Sequence, residues 1–326
     1  MPELATIAQG QQIGLETTEG TAVAAGKALQ SLSFALSPQI ETARFKPMGT
    51  KFDSLVTPGK DWTQADITGQ ATYEELQYLF CSALVKVTPT TSGTTGKLWT
   101  IEPSNVSEDT VATYTVEEGS ATRAHKAAGV LVTDFAITFN RDSVEIGGTA
   151  MGQLFTDGIT LTATPTSLGL VPVLPTQVSV YLDTTWAGLG TTKLLRVLEV
   201  EIGVGSRFGP LWPLNAALAS YAAHIETEPD ATVRLLMEAD ATGMGLLTTL
   251  RAGGSSFLRV EAVGAVIGAG PATYKLTMDQ AVKWEEISSL DDSDGVYAVE
   301  YSGRIVQDAT GGKSISVKLI NSQAAL

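Results

Sequence analysis

Apolar and polar residues alternate over short stretches along most of the chain. In segment 29–36, Leu32, Phe34 and Leu36 alternate with serine and alanine, and segment 64–72 has the same period. A period of two is typical of β-strands that have one buried face. The pattern predicts further strands at 98–101, 112–116, 130–140, 144–146, 178–182, 194–202, 231–238, 257–263, 272–278, 296–306 and 314–320. We therefore predict a mainly β protein.

Two segments have helical spacing instead. Tyr73, Leu76, Leu79 and Phe80 fall on one helical face, and Thr72, with Glu75 three residues later, is expected to cap that helix. A second helix fits segment 244–250. One short helix is thus predicted in each half of the chain.

The order of these signals occurs twice. Leu15-Glu-Thr-Thr returns as Leu182-Asp-Thr-Thr, 167 residues later, and similarity in a fixed order indicates an internal duplication. The alternative is β-strand composition that merely recurs in a chain rich in threonine and alanine. Five more pairs follow in order, at offsets of 160 to 170: 30–36 with 196–202, 44–47 with 207–210, 71–76 with 241–246, 112–114 with 272–274, and 129–135 with 295–301.

From this duplication we predict two tandem β-rich domains, each with one short helix. The first domain, with an N-terminal arm, spans residues 1–156, and the second spans 178–326. The segment between them, 157–177, contains Pro165, Pro172 and Pro175, which do not suit a central strand. It is therefore predicted to be a linker.

Composition narrows the possible partners. Charged residues make up 17% of the 326 residues, below the roughly 25% that is typical of soluble domains, and the formal net charge is −14. A groove that grips nucleic acid needs clustered lysine or arginine, which this balance disfavours, although DNA as a passing neighbour remains compatible with it. Neither a secretion signal nor a long apolar segment is visible, so we expect assembly in a cytoplasm and no membrane insertion.

The residues that usually carry chemistry are scattered. His125 and His224 lie far from each other and from the single cysteine, Cys81, which is expected to be a buried thiol. The motif at Gly312-Lys-Ser lacks the first glycine of a phosphate-binding loop, and Asp292-Ser-Asp-Gly lacks the ligands that complete a calcium loop. We therefore expect no cofactor, no metal and no enzyme activity.

Several motifs together resemble one known family. They are Leu15-Glu-Thr-Thr-Glu-Gly-Thr, a proline-containing loop with Trp62 that leads into a strand, Gly69-Gln-Ala-Thr-Tyr-Glu-Glu-Leu before a helix, and a β-rich segment at 297–319. In this order they resemble the major tail tube proteins of long-tailed, non-contractile bacteriophages. The resemblance implies a structural virion protein without enzyme activity, built here from two tandem β-sandwich domains, each with one short flanking α-helix. Six such domains would form a ring, and the rings would stack into a tube through which the genome passes.

The resemblance also implies partners and a symmetry. The partners would be further copies of the chain, other tail proteins such as the tape measure, tail terminator and distal tail components, and double-stranded DNA as a transient, non-specific passenger. Most of that family has one tube domain in each chain. With two domains, three chains would complete a ring of six, so that true threefold symmetry gives pseudo-sixfold symmetry.

Two sets of residues are predicted to act in assembly. Segment 37–61, a long loop or an extended hairpin, and the long loop 203–229 are expected to join neighbouring rings through Arg44, Phe45, Arg207 and Phe208. The alternative is that the two phenylalanines close the cores of their own domains. Polar strand faces are expected to line the lumen, where an acidic wall would repel DNA; the alternative is that the charge serves solubility. The predicted lumen residues are Gln64, Asp66, Gln70, Asp134 and Glu300.

Two other functions stay open from the sequence. A bacterial surface adhesin would share the threonine-rich, acidic composition, but it should carry a secretion signal. A glycan-acting β-sandwich enzyme would need two carboxylates that converge in a cleft, which the sequence alone does not test.

Overall fold

The computed structural model describes residues 9–120, 122–293 and 295–326, and strands dominate it. The mainly β class is thus confirmed. Two α-helices occur among the described residues, α1 (Leu76–Ala83) and α2 (Ala241–Ala252). The strands of the first half are β1 (Gly10–Leu15), β2 (Lys27–Ala28), β3 (Ser33–Phe45), β4 (Leu55–Gln70), β5 (Thr90–Ser92), β6 (Gly96–Ile101), β7 (Tyr114–Gly119), β8 (Ala124–Phe139), β9 (Val144–Gly152), β10 (Phe155–Ile159) and β11 (Thr166–Ser167). Those of the second half are β12 (Val178–Asp183), β13 (Lys193–Leu194), β14 (Val197–Gly205), β15 (Phe208–Leu211), β16 (Ala223–Glu226), β17 (Asp230–Glu238), β18 (Ser255–Val266), β19 (Thr273–Ile287), β20 (Asp291–Ser293), β21 (Val296–Ile305) and β22 (Ile315–Asn321).

In the first half, the long strand β8 belongs to two sheets. Its N-terminal part pairs with β7 and β10, and its C-terminal part pairs with β9. A bulge separates the two parts, and Gly129 adopts a φ of 63° there, which a side chain would disfavour. The pairing continues from β7 to β1 and β2, and from β9 to β4 and β3.

In the second half, β19 takes the place of β8. Its N-terminal part pairs with β18 and β22, and its C-terminal part pairs with β21. The pairing continues from β18 to β12 and β13, and from β21 to β17 and β14. The order of strands is therefore the same in both halves, with α1 after β4 and α2 after β17.

The two halves are joined through strands. The C-terminal part of β8 pairs with β14, from Phe139 opposite Val200 to Phe135 opposite Val204. This join creates one continuous eight-stranded sheet in the order β3-β4-β9-β8-β14-β17-β21-β19. A second join comes from the β5–β6 hairpin, which lies between α1 and β7 in the chain and pairs with β22 of the second half.

Helix α1 lies inside this junction, and all eight of its residues are buried. The side chain of Asn321, at the end of β22, donates to the carbonyl of Tyr73 (2.9 Å) and to Oε1 of Gln77 (2.8 Å), and it accepts from Nε1 of Trp99 (3.0 Å). One cluster of buried apolar residues spans both halves. The polar face of α1 is buried because the second half of the chain covers it.

The capping prediction for α1 is wrong. The helix starts at Leu76, and Thr72 forms the preceding turn through its carbonyl, which accepts from the N–H groups of Glu75 and Leu76. The Glu75 carboxylate accepts from backbone N–H groups of residues 30–32, so it joins the helix to the start of β3. Helix α2 is capped at both ends, since Asp240 accepts from the N–H of Gly243 (2.8 Å) and Gly253 adopts a φ of 63°.

The last two of the six sequence pairs do not match the strand order. Segment 112–114 leads into β7, whose counterpart is β18, whereas 272–274 leads into β19. Segment 129–135 lies in β8, whereas 295–301 leads into β21, the counterpart of β9. The β5–β6 hairpin has no counterpart between α2 and β18, so the offset changes after α1.

The predicted linker segment lies against the first half. The N–H of Val173 donates to the carbonyl of Ala71 (2.8 Å), and that of Tyr73 donates to the carbonyl of Val171 (2.9 Å). Leu168 and Val173 are buried. The segment is therefore packed and hydrogen-bonded.

Candidate functional site

One face of the eight-stranded sheet consists mainly of small polar, charged and glycine residues. On β4, Ala65 and Ile67 are buried, whereas Gln64, Asp66 and Gln70 are exposed. Because side chains alternate between the two faces of a strand, the apolar set packs into the core and the polar set faces outward. The alternation read from the sequence in this segment is confirmed.

The five residues predicted to line a lumen share this polar face. Asp66 lies directly opposite Thr149 of β9, and Thr149 lies opposite Asp134 of β8. Farther along the sheet, Arg234 of β17 pairs with Glu300 of β21 through a contact of 2.7 Å. The structure thus brings Gln64, Asp66, Gln70, Asp134 and Glu300 to a single surface that runs across both halves.

The polar face is acidic. Arg234 contacts Glu201 (3.2 Å) and Glu300 (2.7 Å), and hydrogen bonding to Glu300 raises the pKa of the Arg234 guanidinium. Across β4, β9, β8, β14, β17 and β21, eight carboxylates share this face with three basic side chains, which leaves five unbalanced negative charges. The carboxylates are those of Asp66, Asp134, Glu145, Glu199, Glu201, Asp230, Glu238 and Glu300, and the basic side chains are those of Lys60, Arg234 and Arg304.

Asp134 is also fixed in position at the join of the two halves. Its carboxylate accepts from Oγ1 of Thr149 (2.7 Å) and from the N–H of Ser206 (2.8 Å). The second contact ties β8 to the turn that follows β14. Asp134 therefore holds the sheet together as well as contributing charge to its face.

The β3–β4 hairpin projects beyond one end of this sheet. Its register continues past Ile40 opposite Asp61 to Phe45 opposite Leu55, so the predicted long loop 37–61 is largely an extended hairpin. Arg44 is exposed. Phe45 is 53% exposed, Phe52 82% and Met48 97%, and exposed apolar clusters of this kind indicate a contact surface. Ile40, Leu55 and Val56 of the same hairpin are also exposed.

The corresponding loop of the second half folds back instead. Arg207 is buried and pairs with Asp109 and with Glu226 (2.9 Å), and Phe208 is buried against Leu131 and Tyr221. In this conformation Arg207 and Phe208 offer little surface for the predicted ring contact. Phe208 packs on Leu131 of the first half as well as on Tyr221, so it does not simply close the core of its own domain, and Phe45 is exposed.

The folded-back loop supports the projecting hairpin. The ring of Trp212, which follows β15, lies 6.0 Å from that of Trp62 in β4, edge to face. Lys60 lies over the Trp212 ring at 5.4 Å. Trp212 of the second loop therefore packs against the base of the projecting hairpin.

Other side chains that could bind a metal or act in catalysis lie apart from this face. Among the described residues no group of three or more His, Cys, Asp or Glu side chains could hold a metal ion. His125 lies 3.2 Å from Glu118, and His224 lies 2.9 Å from Glu19. Cys81 is buried as predicted, and burial raises its thiol pKa to about 11, so the thiol stays protonated near neutral pH.

No protein-family model and no curated protein matches this chain. No helix in the described part of the chain is both long and apolar enough to cross a membrane.

Proposed function

We propose that this chain is a structural virion protein, a major tail tube protein of the kind found in long-tailed, non-contractile bacteriophages. Three copies form a ring with pseudo-sixfold symmetry, rings stack into a tube, and double-stranded DNA passes through it. One observation carries the proposal: both halves contribute equally to one continuous sheet, and that sheet has a polar, acidic face.

The proposal includes two tandem β-sandwich tube domains, at 1–156 and 178–326, joined by 157–177. The repeated strand order supports this division. Each half supplies four strands to the large sheet, so one chain supplies eight and three chains would supply twenty-four. The β8–β14 pairing inside the chain provides the template for the joins between chains.

The acidic face would line the lumen. Duplex DNA carries about one negative charge per 1.7 Å of its axis, and a basic wall would hold it by releasing counterions. A wall with surplus carboxylates repels the duplex within a Debye length of about 8–10 Å, which keeps it away from the wall. Gln64, Asp66, Gln70, Asp134 and Glu300 would all face the DNA.

The projecting hairpin would join successive rings. It lies at one end of the sheet, and a contact between it and the other end of a second ring would be heterologous. Contacts of this kind do not close on themselves along the tube axis, so they extend the stack. Arg44 and Phe45 stay our candidates for this contact, with Met48 and Phe52 added from their exposure.

The remaining partners follow from a place in the phage tail. A tube of this kind would assemble in the host cytoplasm, enclose a tape measure protein, and end against a terminator and distal tail components. The acidic, polar interior would suit a lumen through which other molecules move without binding tightly.

Electron microscopy of the purified recombinant chain tests the proposal. We expect rings or tubes with a central channel. Featureless monomers at all concentrations, under conditions in which the chain is folded, would contradict the proposed function and would favour an adhesin or an enzyme.

A further inference from the structure

The outer edge of β3, where the eight-stranded sheet ends, is closed by two side chains. The N–H of Phe34 donates to Oε1 of Gln11 (2.6 Å), and Nε2 of Gln11 donates to the carbonyl of Phe34 (3.0 Å). The N–H of Leu36 donates to Oε2 of Glu118 (3.1 Å). Pro38, two residues farther along, has no N–H to offer. The groups that a further strand would use are thus occupied or missing.

In the second half, the strand edge that corresponds to the outer edge of β3 is paired with another strand. There the edge belongs to β14, and its residues from Val200 to Val204 are paired with β8. Ile13 and Val180 are buried at matching positions of β1 and β12, 167 residues apart. With that match, Gln11 corresponds to Val178 and its cross-strand partner Glu118 corresponds to Ala262.

Of the two corresponding edges, only the unpaired edge of β3 therefore has polar residues, Gln11 and Glu118, at these positions. Where β8 covers the edge, the same two positions are apolar. A half-buried carboxylate or amide costs free energy unless it is hydrogen-bonded. Both side chains bond the β3 edge, and Glu118 also lies 3.2 Å from His125. Side chains that occupy a strand edge are a known means of preventing edge-to-edge association.

The opposite end of the large sheet offers the matching strand. Gly148 of β9 faces the backbone of Phe135 in β8, and Gly303 of β21 faces the backbone of Trp284 in β19 in the same way. Segment 284–287 of β19 thus corresponds to the part of β8 that pairs with β14. Strand β18 reaches β19 only as far as Lys283, and in the described part of the chain no strand pairs with 284–287 on that side.

We propose that Gln11 and Glu118 guard the β3 edge of the free chain, and that ring formation displaces both side chains so that segment 284–287 of a second copy pairs with β3. This inference rests on the proposed function. Phe34 and Ile202 hold matching positions, because strand pairing connects Phe34 through Ile67 to Gly148, and Ile202 through Val233 to Gly303. The internal join then sets the register: Ile202 lies opposite Ile137, so Phe34 would lie opposite Ile287 of the neighbouring copy. On the polar face, Ser33 would lie opposite Ser288, as Glu201 lies opposite Thr138.

The first test replaces Gln11 and Glu118 with the residues found at the same positions in the second half, where the edge is already paired. Gln11→Val with Glu118→Ala removes the three hydrogen bonds to the β3 edge, which the proposed ring would not contain, and it also removes the contact between Glu118 and His125 (3.2 Å). We expect the concentration threshold for assembly, measured by sedimentation, to fall by about tenfold. Glu117→Ala is the matched control, because its carboxylate bonds Thr162 (2.7 Å) on the other face, and it should leave the threshold within about twofold. If the double variant folds but its assembly threshold is unchanged or higher, Gln11 and Glu118 do not block association at the β3 edge.

The second test locates the join. The pair Ser33→Cys and Ser288→Cys should give disulfide-linked trimers when assembled rings are oxidised, whereas Ser33→Cys with Thr232→Cys should give none, because Thr232 lies in the middle of the sheet. Tubes that assemble without the first cross-link would refute the inference and leave the proposed function standing. A wild-type chain that forms neither rings nor tubes would contradict the proposed function itself, and this inference with it.

Discussion

Replacing Asn321 with alanine should weaken the junction between the two halves more than any surface change of similar size. The side chain is fully buried and makes four hydrogen bonds: with Trp99, Tyr73, Gln77 and the backbone of Gln323. Alanine would leave the indole N–H of Trp99, the carbonyl of Tyr73 and the amide oxygen of Gln77 without this partner. A buried polar group left unpaired costs about 1–3 kcal/mol, and such costs are not fully additive. We therefore expect a loss of about 3–5 kcal/mol in the free energy of unfolding.

Urea unfolding, followed by tryptophan fluorescence and by circular dichroism, measures this loss. The control is Asn215→Ala, since Asn215 is exposed and its side chain accepts one turn hydrogen bond, from Ala217. The control should lose less than about 1 kcal/mol. Because one apolar cluster spans both halves, the wild-type transition should be single. A loss below about 1 kcal/mol for Asn321→Ala would refute the role of this side chain in the junction.

Three further outcomes are expected. Deleting residues 48–58 should leave a folded chain that forms rings but no tubes by electron microscopy, and unimpaired tubes would remove the hairpin from ring stacking. Burial alone would raise the pKa of the Asp183 carboxyl, but hydrogen bonds from Thr191, Thr192 and Gly190 outweigh it and lower the pKa below its usual value of 3.8. Asp183 therefore stabilises the fold above about pH 4 and loses this effect as the pH falls through its folded-state pKa. In urea titrations, Asp183→Asn should lower the free energy of unfolding by about 1–3 kcal/mol at pH 7 and by less at pH 3. An equal loss at both pH values would count against this role of Asp183. Gln64→Lys with Asp66→Lys should make tubes retain duplex DNA in a salt-dependent manner, whereas retention by wild-type tubes at physiological salt would argue against a repelling wall.

Strand faces were predictable from the sequence because they depend on near neighbours. In β4 the buried Ala65 and Ile67 alternate with exposed polar residues, so period two alone identified Gln64, Asp66 and Gln70. The sequence match at Leu15 and Leu182 was visible for a similar reason, since a buried carboxylate follows each of these residues and holds the turn beside it. Glu16 accepts from Gly20, Thr113, Thr115 and Gly129, and Asp183 accepts from residues 190–192.

Features set by distant residues were not predictable in this way. Arg44-Phe45 and Arg207-Phe208 match in sequence, but Phe208 is buried by Leu131 and Tyr221, whereas Phe45 has no such cover. Helix α1 has an amphipathic sequence, and only the second half of the chain buries its polar Gln77. The proposed role of Gln11 at the β3 edge has one signal in the sequence, since Gln11 is polar and its counterpart Val178 is apolar. This difference can be interpreted only when the strand order is known.

The mass of the assembled ring tests the central claim most directly. Native mass spectrometry or mass photometry of rings from the stacking-defective deletion of residues 48–58 separates the possibilities, since each chain weighs about 34.2 kDa before the deletion. We expect three chains per ring, with both halves of every chain lining the channel. Six chains per ring would mean that only one half lines the channel, and it would contradict a lumen built from the continuous eight-stranded sheet.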